Sequence, residues 1–150
     1  MEEAKKFKLY EGLSYSITKT ITEFDLWTFA GLTEDFARIH TDYEFAKTTK
    51  NGRPICHGLI GANFASTVAG RLLGDNGALF LDEHVEFKAP LIMGDTITTT
   101  GVLTEIVEKH TAFVVTLECV CKNQKDEVIN TVTIHQLCYK TNYFTGEEKL

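Results

Sequence analysis

The 150 residues fall within the usual size of one domain and suffice to bury about two-thirds of the unfolded surface in a single core. Hydrophobic residues make up 43% and charged residues 24%, and no apolar run approaches the roughly 20 residues of a bilayer crossing, so no membrane partner is expected. Fifteen basic residues against 21 acidic ones leave a net charge of -6, the wrong sign for a nucleic-acid partner.

The first residues, Met1 to Lys8, carry charges of both signs and no apolar stretch of a secretion signal, which points to the cytoplasm. Leu13, Tyr15 and Ile17 alternate with Ser14, Ser16 and Thr18, the period-two pattern of a half-buried strand. Thr22 then offers an N-cap oxygen with Asp25 three residues on, and Leu26, Phe29 and Ala30 recur at helical spacing. This predicts a short amphipathic helix that ends between Gly31 and Phe36. Residues 41–57 show no clean period and contain Asn51-Gly52 and Pro54, so a long irregular segment is expected, of the kind that carries function.

From Gly58 to Leu73 apolar residues cover most of a helical circumference, which predicts a buried helix, capped by Gly74 and followed by a turn at Asp75-Asn76-Gly77. Four strands follow, over 78–88, 95–107, 111–122 and 127–139, rich in Val, Ile, Thr and Phe and separated by short breaks. The tail from Thr141 to Leu150 reads as loosely held. One buried helix covered by antiparallel strands is an α+β layout, that of the hotdog fold, and without repeat or linker residues 1–150 form one domain.

Cys56, Cys119, Cys121 and Cys138 include no C-x-x-C pair and read as small buried hydrophobes rather than a disulfide or zinc set. His84, His110 and His135 have no ligand-like spacing, and no metal is implied.

The most informative stretches are Thr33-Glu34-Asp35-Phe36-Ala37-Arg38-Ile39-His40-Thr41-Asp42 and Gly52-Arg53-Pro54-Ile55-Cys56-His57-Gly58-Leu59-Ile60. A third is Phe87-Lys88-Ala89-Pro90-Leu91-Ile92-Met93-Gly94-Asp95. In this order the three resemble the MaoC-like hydratases, in particular the (R)-specific enoyl-CoA hydratases, over roughly residues 10–140. The resemblance implies a hydro-lyase that adds water to a 2-enoyl-CoA or removes it from a 3-hydroxyacyl-CoA. It places the catalytic carboxylate on Asp35, the catalytic histidine on His40, the oxyanion-binding amide on Gly58 and a water-side serine on Ser66. The chain departs from many relatives at Ala37-Arg38, where they carry Asn-Pro.

These residue types suit the reaction. Hydration needs a base for water, a proton for Cα and a donor for the enolate-like oxygen. A glycine amide opening a helix has no intrahelical acceptor and sits at the positive end of the dipole. A continuous helix would place the side chains of Asp35 and His40 about 140° apart, so convergence requires a helix break between them.

Lys50, Arg53, Arg71 and Lys88 are candidates for the CoA phosphates and Asn63 for the substrate pocket, while His57 is a candidate for that pocket or for a structural place beside the oxyanion glycine. CoA belongs to the substrate, so no cofactor is expected. Three other readings stay open: a related hotdog lyase using ammonia or an acyl-carrier-protein substrate, a thioesterase, and a non-catalytic acyl-thioester binding module. One sheet on one helix leaves a face and an edge exposed, from which a homodimer or a higher homo-oligomer is expected.

Overall fold

The computed structural model describes residues 6–146. The charged start at 1–5 and the last four residues lie outside it. Antiparallel strands β2 (Ser14–Thr20), β3 (Leu79–Phe87), β4 (Thr96–Glu108), β5 (Ala112–Lys122) and β6 (Val128–Tyr139) form a five-stranded sheet in the order β2-β4-β5-β6-β3. Along β4, β5 and β6 burial alternates residue by residue, so one sheet face is apolar and must be covered. The outer face instead carries hydroxyl pairs, Ser16–Thr100, Thr18–Thr98 and Thr20–Thr96, at 2.7–2.8 Å.

Helix α1 (Glu23–Thr33) begins as its sequence specifies, with Thr22 and Asp25 closing a capping box. Short helices α2 (Arg38–Thr41) and α3 (Tyr43–Lys47) follow, and then α4 (Gly58–Leu72) lies on the sheet. Ala62, Ala65, Val68, Ala69 and Leu72 of α4 pack against Leu103, Val115, Leu117, Val132 and Ile134 of the sheet in the main core. Small residues on the helix let the sheet curve closely around it. Gly101 shows how tight this is, because a Cβ there would lie 2.6 Å from the Val68 side chain.

Together, an antiparallel sheet wrapped on one helix is the expected α+β hotdog fold. All four cysteines are free and buried, and burial pushes the thiols of Cys56, Cys119 and Cys138 up to about 12.

Three expectations change. First, α4 is not covered all round: one face, with Leu59 48% exposed and Asn63 and Ser66 open beside it, faces away from the sheet, because a single sheet reaches only one side of the helix. Second, residues 41–57 are not wholly irregular, because Asp42 accepts from the Phe45 N–H at 2.9 Å and caps α3, a helix too short to show a period. Third, the tail is held as far as it is described. Strand β7 (Tyr143–Phe144) pairs in parallel with β1 (Phe7–Lys8), and Tyr143 is buried with its ring edge-on to Phe7 at 6.3 Å.

Candidate active site

The site forms where α1 stops. Glu34 adopts the left-handed conformation at φ 59° and ends α1, and the Asp35 Oδ1 accepts from the Ala37 N–H at 3.2 Å to close a turn before α2 begins. The helix break that convergence of Asp35 and His40 requires is therefore present. It is made by a left-handed residue and an Asx turn, so Ala37-Arg38 serves without the proline of the relatives.

His40 sits in α2, and its Nδ1 lies 2.7 Å from the Ile55 carbonyl. A carbonyl only accepts, so Nδ1 carries the proton and Nε2 presents its lone pair. Asp35, with a half-exposed side chain, lies beside it: Asp35, His40 and His57 each bring one carboxylate oxygen or ring nitrogen to within 4.8 Å of the others.

Arg38 pairs with Asp42 at 2.9 Å and keeps α2 in register with α3. The Phe45 N–H and then the Arg38 guanidinium hold the Asp42 carboxyl below the ordinary carboxylate range.

Gly58 opens α4, and its first-turn N–H has no intrahelical acceptor. His57 just before it has its carbonyl bonded to the Ile60 N–H at 3.0 Å, which fixes the peptide plane so that the Gly58 N–H points away from the helix. A Cβ on Gly58 would lie 2.9 Å from the Phe87 ring, so glycine permits close approach here. His40 and Gly58 line one cavity of about 310 Å³, walled by Phe87, Lys88, Pro90, Leu91 and Ile129. This arrangement puts the His40 imidazole and the first residue of α4 on the wall of one cavity, with the Asp35 carboxylate next to His40 but outside the lining.

The other candidates fall around it unevenly. Lys88 lines the same cavity and also pairs with Glu86. Lys50 and Arg53 line an adjoining polar cleft of about 290 Å³ that shares Pro90 with the first, and Lys125 joins them there from the β5–β6 turn. Nothing in its local sequence singled Lys125 out. Asn63 lines a second, apolar cleft of about 220 Å³ between α1 and α4, with Phe24, Thr28, Phe29, Leu32, Ile60 and Phe64.

Ser66 lies two turns along α4 from Gly58 on the open face, about 12 Å away by helix rise, outside the first cavity. Arg71 lies about 20 Å along the same axis, bound to Asp75 at 2.9 Å, and does not line this cavity within one chain.

His57, for which both a substrate contact and a structural place were expected, is 3% exposed and lies beneath the pair, with its Nε2 2.8 Å from the Asp35 carbonyl. Of the cluster's metal-donor atoms, His57 Nε2 and His40 Nδ1 are occupied by carbonyls.

Asp95 of the third motif is structural, since its carboxylate accepts from the Ile92 N–H and the Gln124 side chain and braces the turn. Among the described residues no helix is long and apolar enough to cross a membrane.

The family model described as "MaoC like domain" matches residues 7–132. An (R)-specific enoyl-CoA hydratase of Rhodospirillum rubrum is 41% identical over 97 residues, 65% of this chain and 67% of that protein. A 3-hydroxybutyryl-CoA dehydratase of Methylorubrum extorquens is 34% identical over 119 residues, 79% of this chain and 73% of that protein. Among solved structures, the (R)-hydratase of A. caviae involved in PHA biosynthesis superposes with a TM-score of 0.79 and 30% identity, covering 85% of this chain and 96% of that one.

Proposed function

This chain belongs to the MaoC-like domain family, and from that premise we propose that it is a hydro-lyase that hydrates 2-enoyl-CoA thioesters and dehydrates 3-hydroxyacyl-CoA, with (R) stereochemistry. The observation that carries the reading is the convergence of the Asp35 carboxylate and the His40 imidazole beside a cavity that the Gly58 amide also lines.

In the proposed reaction one water donates hydrogen bonds through its two O–H groups to the Asp35 carboxylate and to His40 Nε2, which leaves an oxygen lone pair free to attack Cβ. Asp35 takes one of these protons as general base while the hydroxyl that bonds to Cβ keeps the other, and the proton held by Asp35 then passes to Cα, so that one water is added and the carboxylate is restored. The thioester oxygen gains negative charge as the C–O bond forms, and the Gly58 N–H at the positive end of α4 receives it. The reverse path is the dehydration. The apolar cleft between α1 and α4 offers walls for an acyl chain, and Lys88, Lys50, Arg53 and Lys125 supply local positive charge for the CoA phosphates on a net acidic chain.

The working unit in this reading is a homodimer of single-domain chains in the cytoplasm. Its support is the apolar edge strand β3, where Leu79, Phe80, Leu81 and Phe87 are each more than two-fifths exposed, next to the open face of α4. Unpaired apolar edges and faces of this kind are normally covered by a second copy.

The test follows the loss of the enoyl chromophore with short, medium and branched 2-enoyl-CoAs, with chiral analysis of the product and a parallel assay for free thiol. Formation of (R)-3-hydroxyacyl-CoA supports the reading. Thiol release without hydration identifies a thioesterase, and binding without turnover a non-catalytic module. Either result overturns it.

A further inference from the structure

His57 enters neither proton transfer nor substrate binding in the mechanism above, yet its surroundings are the most constrained of any histidine in the chain. It is 3% exposed, its Nε2 lies 2.8 Å from the Asp35 carbonyl oxygen, and the same nitrogen is 3.8 Å from the Asp35 carboxylate. Its ring stacks on the His40 ring at 3.9 Å between centroids with 29° between planes, and Phe29 of α1 packs on it at 5.0 Å. Its Nδ1 is buried with no hydrogen-bond partner.

Each contact falls on a group that the reaction uses. The bond to the Asp35 carbonyl lies in the non-helical 34–37 segment that makes the helix break. The stacked face fixes the imidazole plane of His40. The peptide unit joining His57 to Gly58 carries the amide proposed to bind the oxyanion, and the His57 carbonyl is tied to the Ile60 N–H. We infer that His57 is a positioning residue: one imidazole, without touching substrate, sets the Asp35 base, the water-holding His40 ring and the oxyanion donor relative to one another.

A purely space-filling residue would not require a ring nitrogen bonded to a carbonyl at the cost of leaving the other nitrogen buried and unpaired, since an unsatisfied buried polar atom is destabilising. Because a carbonyl can only accept, the proton is on Nε2 and Nδ1 is left as a lone pair. A neighbour that shifts a reacting group by about 1 Å changes rate by about 100-fold, so this bond and stack have kinetic weight out of proportion to their stability.

The inference rests on the hydratase reading, so the wild-type rate is measured first. A wild type that hydrates no enoyl-CoA overturns that reading and this inference with it. With a hydrating wild type, two variants separate the functions of the ring. His57→Phe keeps bulk and a stacking face but loses the donor, whereas His57→Gln keeps a donor near the Nε2 position but loses the ring.

The expected result for His57→Phe is a kcat lower by about 100-fold with KM within about threefold and unchanged circular dichroism and oligomeric state, because geometry and not binding is lost. His57→Gln is expected to recover about tenfold of that deficit, as the retained hydrogen bond restores Asp35.

A folded His57→Phe protein with kcat within about threefold of wild type, or a His57→Gln protein no better than His57→Phe, overturns the inference. Nitrogen NMR of the wild-type imidazoles gives a readout that survives a variant failing to fold: His57 is expected as a single tautomer protonated on Nε2, and a proton on Nδ1 contradicts the brace.

Discussion

Gly58 allows its amide to be tested apart from its shape. It is the first residue of α4, a position where proline is tolerated because its N–H has no intrahelical acceptor. His57 sits at φ -56° and ψ 129°, already the extended conformation that a residue before proline must adopt. Gly58→Pro therefore removes the proposed oxyanion donor with little demand on the backbone.

Both Gly58→Pro and the control Gly58→Ala add a Cβ that would meet the Phe87 ring at 2.9 Å, but that ring is 55% exposed and can swing outward. Steric change is thus common to the two variants, and the N–H is the main difference between them. Loss of one oxyanion donor costs about 10²–10³-fold in kcat, or about 2.7–4 kcal/mol of transition-state stabilisation. Gly58→Pro is accordingly expected to hydrate 2-enoyl-CoA about 10²–10³-fold more slowly than Gly58→Ala, with melting temperatures within about 4 °C of each other. Equal rates in two folded variants would refute the assignment of the oxyanion to this amide.

Three further outcomes are expected. Gly74 has φ +73° and a Cβ there would collide with the Phe7 ring, so Gly74→Ala should lower stability by about 1–3 kcal/mol in urea unfolding, and an unchanged midpoint contradicts the packing described. Burial pushes the Asp25 carboxyl up, but its hydrogen bonds to Thr22 and the nearby Lys19 outweigh this and leave it below the ordinary carboxylate value of 3.8; Asp42 is lowered as well. A depressed carboxyl stabilises the fold above its unfolded value and loses that contribution as pH falls through the folded one, so the fluorescence of Trp27 in α1 should report loosening below about pH 4, and Asp25→Asn should flatten that dependence. Leu81→Asp on the exposed β3 edge should shift the chain to monomer in sedimentation, whereas a persistent dimer would place the interface elsewhere.

Much of the architecture was legible because periodicity and caps are local signals. The Thr22–Asp25 box, the apolar run of α4 and the Val- and Thr-rich strands each specify their element within a few residues. The proposed acid–base pair was picked out by the motifs, but its geometry was not. Convergence of Asp35 and His40 depends on Glu34 accepting a left-handed backbone and on the Ile55 carbonyl orienting an imidazole 15 residues away, and backbone partners leave no mark on residue type.

For similar reasons the place of His57 beneath the pair, the pairing of β7 with β1, and the gathering of Lys125 with Lys50 and Arg53 depend on long-range contacts. Basic residues near a motif look alike in sequence, and only helix rise separates Arg71, at the far end of α4, from those beside the cavity.

The most direct single measurement is the rate at which Asp35→Asn hydrates a short 2-enoyl-CoA, beside wild type and with oligomeric state and circular dichroism matched. The account predicts a wild type that consumes the enoyl chromophore and a variant slowed by about 10²–10⁴-fold, as expected when a positioned general base is lost. A folded Asp35→Asn protein that turns over at the wild-type rate would contradict it.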